Sequence, residues 1–189
     1  MQGETLDVEK RDVVRTIRLT DGLNSALESE AHQLGVSVSS LISSILTKYA
    51  EWDRLALRFG FASIDKEVLR SILEATKEAE LRKAGREEGS RRATEMQRFW
   101  FGSDGWEAYS KISDLISRFT GLYKKEVRRV GEDLVFVYNH ELGPNWSVYL
   151  GEMIAEVARK VFHAEPVVMS TRSSVLVRLK LASSAKDPN

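Results

Sequence analysis

The sequence predicts an α+β protein. One short strand and two helices come first, then a helical connector, then a C-terminal α-β-β-α-β-β module with a four-stranded antiparallel sheet. Three observations predict it. Residues 13–19, VVRTIRL, are rich in β-branched side chains and alternate in polarity. Two blocks with apolar residues at helical spacing follow, separated by Gly35-Val36-Ser37. Beyond residue 103, two further helical blocks are each followed by a pair of strand-like runs.

In the first strand, Val13, Ile17 and Leu19 share one face with Arg15, while Val14, Thr16 and Arg18 share the other. Thr20-Asp21 signals a helix start. Leu23, Leu27, Ala31 and Leu34 form its apolar stripe, and Gly35 stops it. Ser37 caps a second helix through Leu41, Ile42, Ile45, Leu46, Tyr49 and Trp52. Phe59-Gly60-Phe61 reads as a break. Asp65 opens a helix carrying Val68, Leu69, Ile72 and Leu73, with its end expected near Gly85. Residues 77–98 hold seven Lys/Arg against five Asp/Glu, a solvated helical face or a hinge rather than a binding patch.

Trp106, Tyr109, Ile112, Ile116 and Phe119 mark the next helix. Residues 123–130 and 133–139 meet at Gly131-Glu132 as a hairpin. Pro144 starts the last helix, and a second hairpin turns around Ser173. Trp106 and Tyr109 lie 40 residues before Trp146 and Tyr149. At that gap-free offset Val127, Val135, Phe136 and Val137 meet Val167, Val175, Leu176 and Val177. This is either an internal duplication or two similar units that align on apolar pattern alone. The expected division is an arm over 1–11, a first domain over 12–58, a connector over 59–102, an α+β domain over 103–182 and a tail over 183–189, with arm and tail disordered.

At 189 residues and 42% hydrophobic, the chain can bury a core. Twenty-eight basic and 28 acidic residues exclude a uniformly basic protein, so any nucleic-acid surface must be local. The absence of Cys excludes a disulfide framework, a zinc–thiolate site and a thiol nucleophile. The start, MQGETLDVEKRD, lacks the apolar stretch of a secretory leader, and no run approaches the roughly 20 apolar residues that span a bilayer. The expectation is a cytoplasmic protein with no membrane partner.

One strand and two helices within about 40 residues are too few to bury their own apolar face. A symmetric dimer would pair the strands and let four helices share a core. The outer face of such a two-stranded ribbon fits a DNA major groove. The segment TIRLTDGLNSALESEAHQLGVSVSSLISSILTKY resembles the MetJ/Arc-type ribbon-helix-helix DNA-binding domain, over about residues 12–52. The resemblance rests on a strand ending in Leu-Thr, the Leu spacing, the Leu34-Gly35-Val36-Ser37 turn and the Ser-rich start of the second helix.

The resemblance implies that Val14, Thr16 and Arg18 read bases. Arg18 suits guanine O6 and N7, and Thr16 suits a base edge or thymine methyl. Val14 departs from the polar residue usual in the family and offers only apolar contact. The family's phosphate clamp falls on Ser37, Ser39 and Ser40, where amides and helix dipole favour an anion. Its frequent basic residue is Val38 here. Lys10, Arg11 and Arg15 would add phosphate contacts. Residues 1–60 sum to a net charge of −2, but residues 10–18 hold four basic side chains against one acidic.

In the C-terminal half, His140, Glu141, Asn145 and Trp146 concentrate where a strand gives way to a helix. This reads as a ligand mouth, with His140 and Glu141 as a proton-transfer pair or metal ligands. The competing reading makes His140 a turn cap and Trp146 core. Nickel-responsive regulators resemble the chain in joining such a head to a sensory domain. Their His/Cys site has no counterpart here, and their sensory half follows a different strand order. No metal and no cofactor are expected. Residues 118–130, five basic against one acidic, suit either a second nucleic-acid surface or a charged sheet edge.

No catalytic motif is present: Gly-x-Ser-x-Gly, a Gly-Lys-Ser/Thr phosphate loop and Cys are all missing. The expectation is therefore not an enzyme. It is a homodimeric, sequence-specific transcription regulator of double-stranded DNA, a repressor where occupancy blocks transcription. Its C-terminal module would bind a small-molecule effector or a protein, or extend the dimer to a higher oligomer. The alternative is an antitoxin-like protein whose C-terminal module binds a partner protein.

Overall fold

The computed structural model describes residues 13–163 and 165–180. The expected arm with Lys10 and Arg11, and the expected tail, lie outside the described residues. The chain divides into two compact units at Phe61/Ala62.

In the first unit, Thr20 caps helix α1 (Asp21–Leu34) by accepting from the Leu23 N–H. Gly35, at φ 66°, ends it, and Val36 N–H returns to the Ala31 carbonyl. Ser37 caps helix α2 (Val38–Lys48), which runs through a π-helical turn (Tyr49–Asp53) into α3 (Arg54–Phe59). Among the described residues, Ala31, Leu41, Trp52 and Ala56 are the buried apolar residues of this unit, and the Trp52 and Phe61 rings meet edge to face at 4.9 Å. The strand expected over residues 13–19 does not form, and the first regular element described is α1. The physical reason is pairing: a strand's N–H and C=O groups need a neighbouring strand, and the described residues of this unit contain none.

The second unit begins with α4 (Lys66–Ala75), capped by the Asp65 carboxylate on the amides of Glu67 and Val68. The expected helix to Gly85 breaks earlier, at Thr76-Lys77, and restarts as α5 (Glu78–Glu87). That helix continues through a second π turn (Glu88–Arg92) into α6 (Ala93–Phe101). Gly85 thus stands inside a helix rather than ending one. The segment expected as a connector is a packed layer of this unit. Helix α7 (Trp106–Phe119), β1 (Lys124–Val130), β2 (Asp133–Asn139), α8 (Pro144–Phe162), β3 (Val167–Ser170) and β4 (Ser174–Lys180) complete it.

The four strands form the expected antiparallel sheet, in the order β1-β2-β4-β3. Two hairpins meet through their second strands, with Phe136 opposite Val177 and Tyr138 opposite Val175. Phe136, Tyr138, Val175, Val177 and Leu179 form the core face with Tyr109 of α7 and Leu150, Ile154 and Val157 of α8. The opposite face holds Val135, Val137 and Leu176. The α-β-β order therefore occurs twice, but the 40-residue correspondence fails within the strands. It matches Val135 and Val137 on the outer face with Val175 and Val177 on the core face. With a side-chain period of two, an alignment one residue out of step inverts every position.

Helix α8 lies between the sheet and α5. A Cβ at Gly85 would stand 2.4 Å from the Tyr149 carbonyl oxygen, and one at Gly89 would stand 2.3 Å from that of Met153. Only hydrogen fits at either position. Beside this contact Glu152 accepts from Arg82 at 2.6 Å and from Arg86 at 3.1 Å. Burial raises the Glu152 pKa, and the two guanidinium hydrogen bonds overcome it and hold the carboxyl below its ordinary value.

Gly89→Ala distinguishes this contact from a merely tolerated helical glycine. At an open helical site alanine is stabilising by up to about 1 kcal/mol. Against the Met153 carbonyl, the added methyl forces the helices apart at a cost of about 1–3 kcal/mol. Denaturant unfolding should show a lowered midpoint with an unchanged slope; a raised midpoint would contradict the packing described.

Candidate nucleic-acid interface

Val13 to Arg18 are all exposed, so Val14, Thr16 and Arg18 lie free on the first unit's surface together with Arg15. Val14 is 89% exposed. The second expected element, the start of α2, has a defined geometry. Ser37 Oγ accepts from the Ser40 N–H at 3.1 Å and lies 2.8 Å from Ser40 Oγ. The Ser37 carbonyl takes the Leu41 N–H. This leaves the first-turn amides of Val38 and Ser39 pointing along the helix axis without helical acceptors. Ser39 and Ser40 are exposed, and no acidic side chain sits in the first turn. A partial positive charge at this terminus is therefore uncompensated.

Large apolar side chains surround these elements. Ile17, Leu23, Leu34, Leu46, Tyr49 and Leu57 are each at least half exposed. Scattered exposed apolar residues are ordinary on a protein surface; here these six fall within one small unit.

The four C-terminal candidates occupy one corner of the second unit, and their side chains turn to different neighbours. His140 is buried; its Nδ1 accepts from the Leu142 N–H and its Nε2 lies 2.8 Å from Ser147 Oγ. With Nδ1 accepting, Nε2 carries the proton and donates to the serine. The His140 backbone N–H bonds the Ser173 carbonyl in the other hairpin. Asn145 Nδ2 donates to the Leu73 carbonyl at the end of α4. Glu141 points to solvent and pairs with Lys66 at 3.0 Å, and that bond lowers its pKa. Trp146 is buried and stacks on Tyr149. The corner joins α4, both hairpins and α8. Leu73 and Ser173 are legible in the sequence only as a helix stripe and a hairpin turn, and their locking roles, like that of Ser147, rest on a carbonyl or hydroxyl that any fold could use.

The basic run at 118–130 is largely engaged. The Lys125 side chain is 3% exposed, 2.7 Å from Asp114, and donates to the Ser110 carbonyl. Arg128 pairs with Glu126, and Arg118 lies over the Phe119 ring. A buried hydroxyl chain runs beside it, with Tyr109 and Tyr138 oxygens 2.6 Å apart and Tyr123 reaching Ser113. Burial pushes the Tyr109 pKa up to about 12 and Tyr138 well above its ordinary value. Among the described residues, no three His, Cys, Asp or Glu side chains gather at metal-binding distance, and no helix is long and apolar enough to cross a membrane. No protein-family model and no curated protein matches the chain.

Burial lowers the His140 pKa below its ordinary value. Unfolding restores a pKa of about 6.5, so below that pH the unfolded chain binds a proton that the folded chain resists. The resulting stability is intact above about pH 6.5 and falls as the pH drops toward the folded-state pKa. Urea midpoints across this window should decline less steeply in His140→Gln than in the wild type. Equal slopes would show that this ring does not carry the titration.

Proposed function

We propose that the chain is a homodimeric, sequence-specific DNA-binding transcription regulator whose first unit acts as a ribbon-helix-helix head. One observation supports it above others. Residues 13–20 form no regular element and present Val13, Val14 and Ile17 at 65%, 89% and 55% exposure, directly before a Thr20-capped helix. A second copy supplies the missing strand, and antiparallel pairing turns this segment into a two-stranded ribbon. Val13, Ile17 and Leu19 then face a core shared with the exposed apolar side chains of α1 and α2. Val14, Thr16 and Arg18 face outward in register with a major groove.

Affinity and specificity separate in this arrangement. Arg15, the α2 amides and the basic residues of the arm would meet phosphates and set a salt-dependent affinity. Arg18 and Thr16 would carry the sequence preference, Arg18 as a two-pronged donor to guanine. No group in the second unit is required for a covalent step. Its place is to receive an effector or to govern assembly, and the regulator acts by occupying its site.

Arg18→Ala should weaken binding to the selected operator by about 1–3 kcal/mol and relax preference at one position of each half-site. Arg15→Ala should weaken all sequences alike and shallow the salt dependence by about one phosphate contact. Mobility shifts at two salt concentrations, with excess competitor DNA, measure both. An Arg18→Ala protein with wild-type affinity and preference would overturn the base-reading assignment.

A further inference from the structure

The two edges of the sheet differ in a way that specifies a partner. Among the described residues, the outer strands of the two hairpins, β1 and β3, each leave one row of backbone groups without a strand neighbour. β1 reads KKEVRRV, four cations to one acid, so pairing with itself would oppose like charges. β3 reads VVMS and carries no charge. Val167 and Met169 are 54% and 53% exposed on the outer face, where Met169 continues the row Val137–Leu176. On the core side, a groove of about 420 Å³ lies between this edge and α8, where Val148, Ala155 and Val168 meet the charged Arg82, Glu152 and Arg159. A Cβ at Gly151 would reach 3.3 Å from Val168 and 3.4 Å from Ser170, so the missing side chain opens the groove beside the strand.

We propose that β3 pairs antiparallel with β3 of a second copy, joining two four-stranded sheets into one of eight strands. A two-fold axis at Val168 keeps like faces together. Val167 of each copy lies opposite Met169 of the other, and the two Val168 side chains meet over the Gly151 groove. The strand ends are complementary under the same axis. Glu165 precedes β3, pairs with Arg159 of its own copy at 2.8 Å and keeps a 75% exposed side chain, while exposed Arg172 follows the strand. Antiparallel pairing sets each copy's acidic end beside the other's basic end. Pro166 offers no N–H, which limits the ladder to four residues. The apolar row of Val167 and Met169 therefore supplies most of the side-chain contact. The pairing concerns the second unit alone and holds whether or not the first unit reads DNA.

The test uses the full-length chain, whose lack of cysteine makes introduced thiols unambiguous. Val167→Cys/Met169→Cys replaces two exposed residues and places thiols in facing positions in this register or one shifted by two. Mild oxidation at micromolar concentration should convert most of the protein to a covalent dimer, while Lys124→Cys/Arg128→Cys on the other edge stays monomeric on a denaturing gel. Adding Arg172→Glu should slow cross-linking about fivefold, and adding Glu165→Arg to that variant should restore it. Cross-linking at β3 no faster than at β1, in variants whose melting matches the wild type, would overturn the proposal. So would an Arg172→Glu effect that the charge swap leaves unrepaired.

Discussion

The second unit depends on the double packing of α8. One side of this helix supplies Leu150, Ile154 and Val157 to the sheet core. Another side brings its backbone against Gly85 and Gly89, where a methyl group would already collide. Contact this close lets two charged helices share an interface with almost no apolar side chain on α5 beyond Leu81. Dispersion between backbones and the Arg82–Glu152–Arg86 cluster replaces part of the side-chain burial that other helix pairs use. The layers follow from it: sheet, then α7 and α8, then the α5–α6 rod. The His140 corner closes the arrangement by fixing α4 and both hairpins to the start of α8.

The first unit meets the burial problem differently. Its four buried apolar residues cannot match the apolar surface left open on α1, α2 and the preceding segment. Under the proposed dimer this unit would gain stability by sharing a core, with the unpaired segment as the seam. Both proposals in this chain rest on that physics: a strand or edge whose backbone groups lack a neighbour, next to apolar side chains that water still covers. At residues 13–20 the seam would create a DNA-reading face. At β3 it would extend a sheet.

Local signals in the sequence translated directly where one residue type suffices. Thr20, Ser37 and Asp65 cap the helices expected from them, Gly35 and Gly60 take positive φ at helix ends, and Gly131 turns the first hairpin. Legibility ended where meaning depended on a distant element. Gly85 reads as a stop until α8 is known to lie against it. The 40-residue correspondence follows apolar type, but type does not tell which sheet face a residue takes. His140, Glu141, Asn145 and Trp146 read as a cluster because they are close in sequence, while their side chains address four different neighbours. Residues 13–19 read as a strand by composition, yet they form none in the described chain, where no neighbouring strand offers them pairing.

The most direct test of the central claim is amide hydrogen exchange across residues 13–19 of the full-length protein, measured over a range of concentrations. An interchain ribbon predicts alternating protection, one amide bonded across the ladder and the next open, strengthening as dimer accumulates. Exchange at unfolded-chain rates throughout, unchanged with concentration, would contradict it, because a segment that never pairs cannot present Arg18 and Thr16 to a major groove.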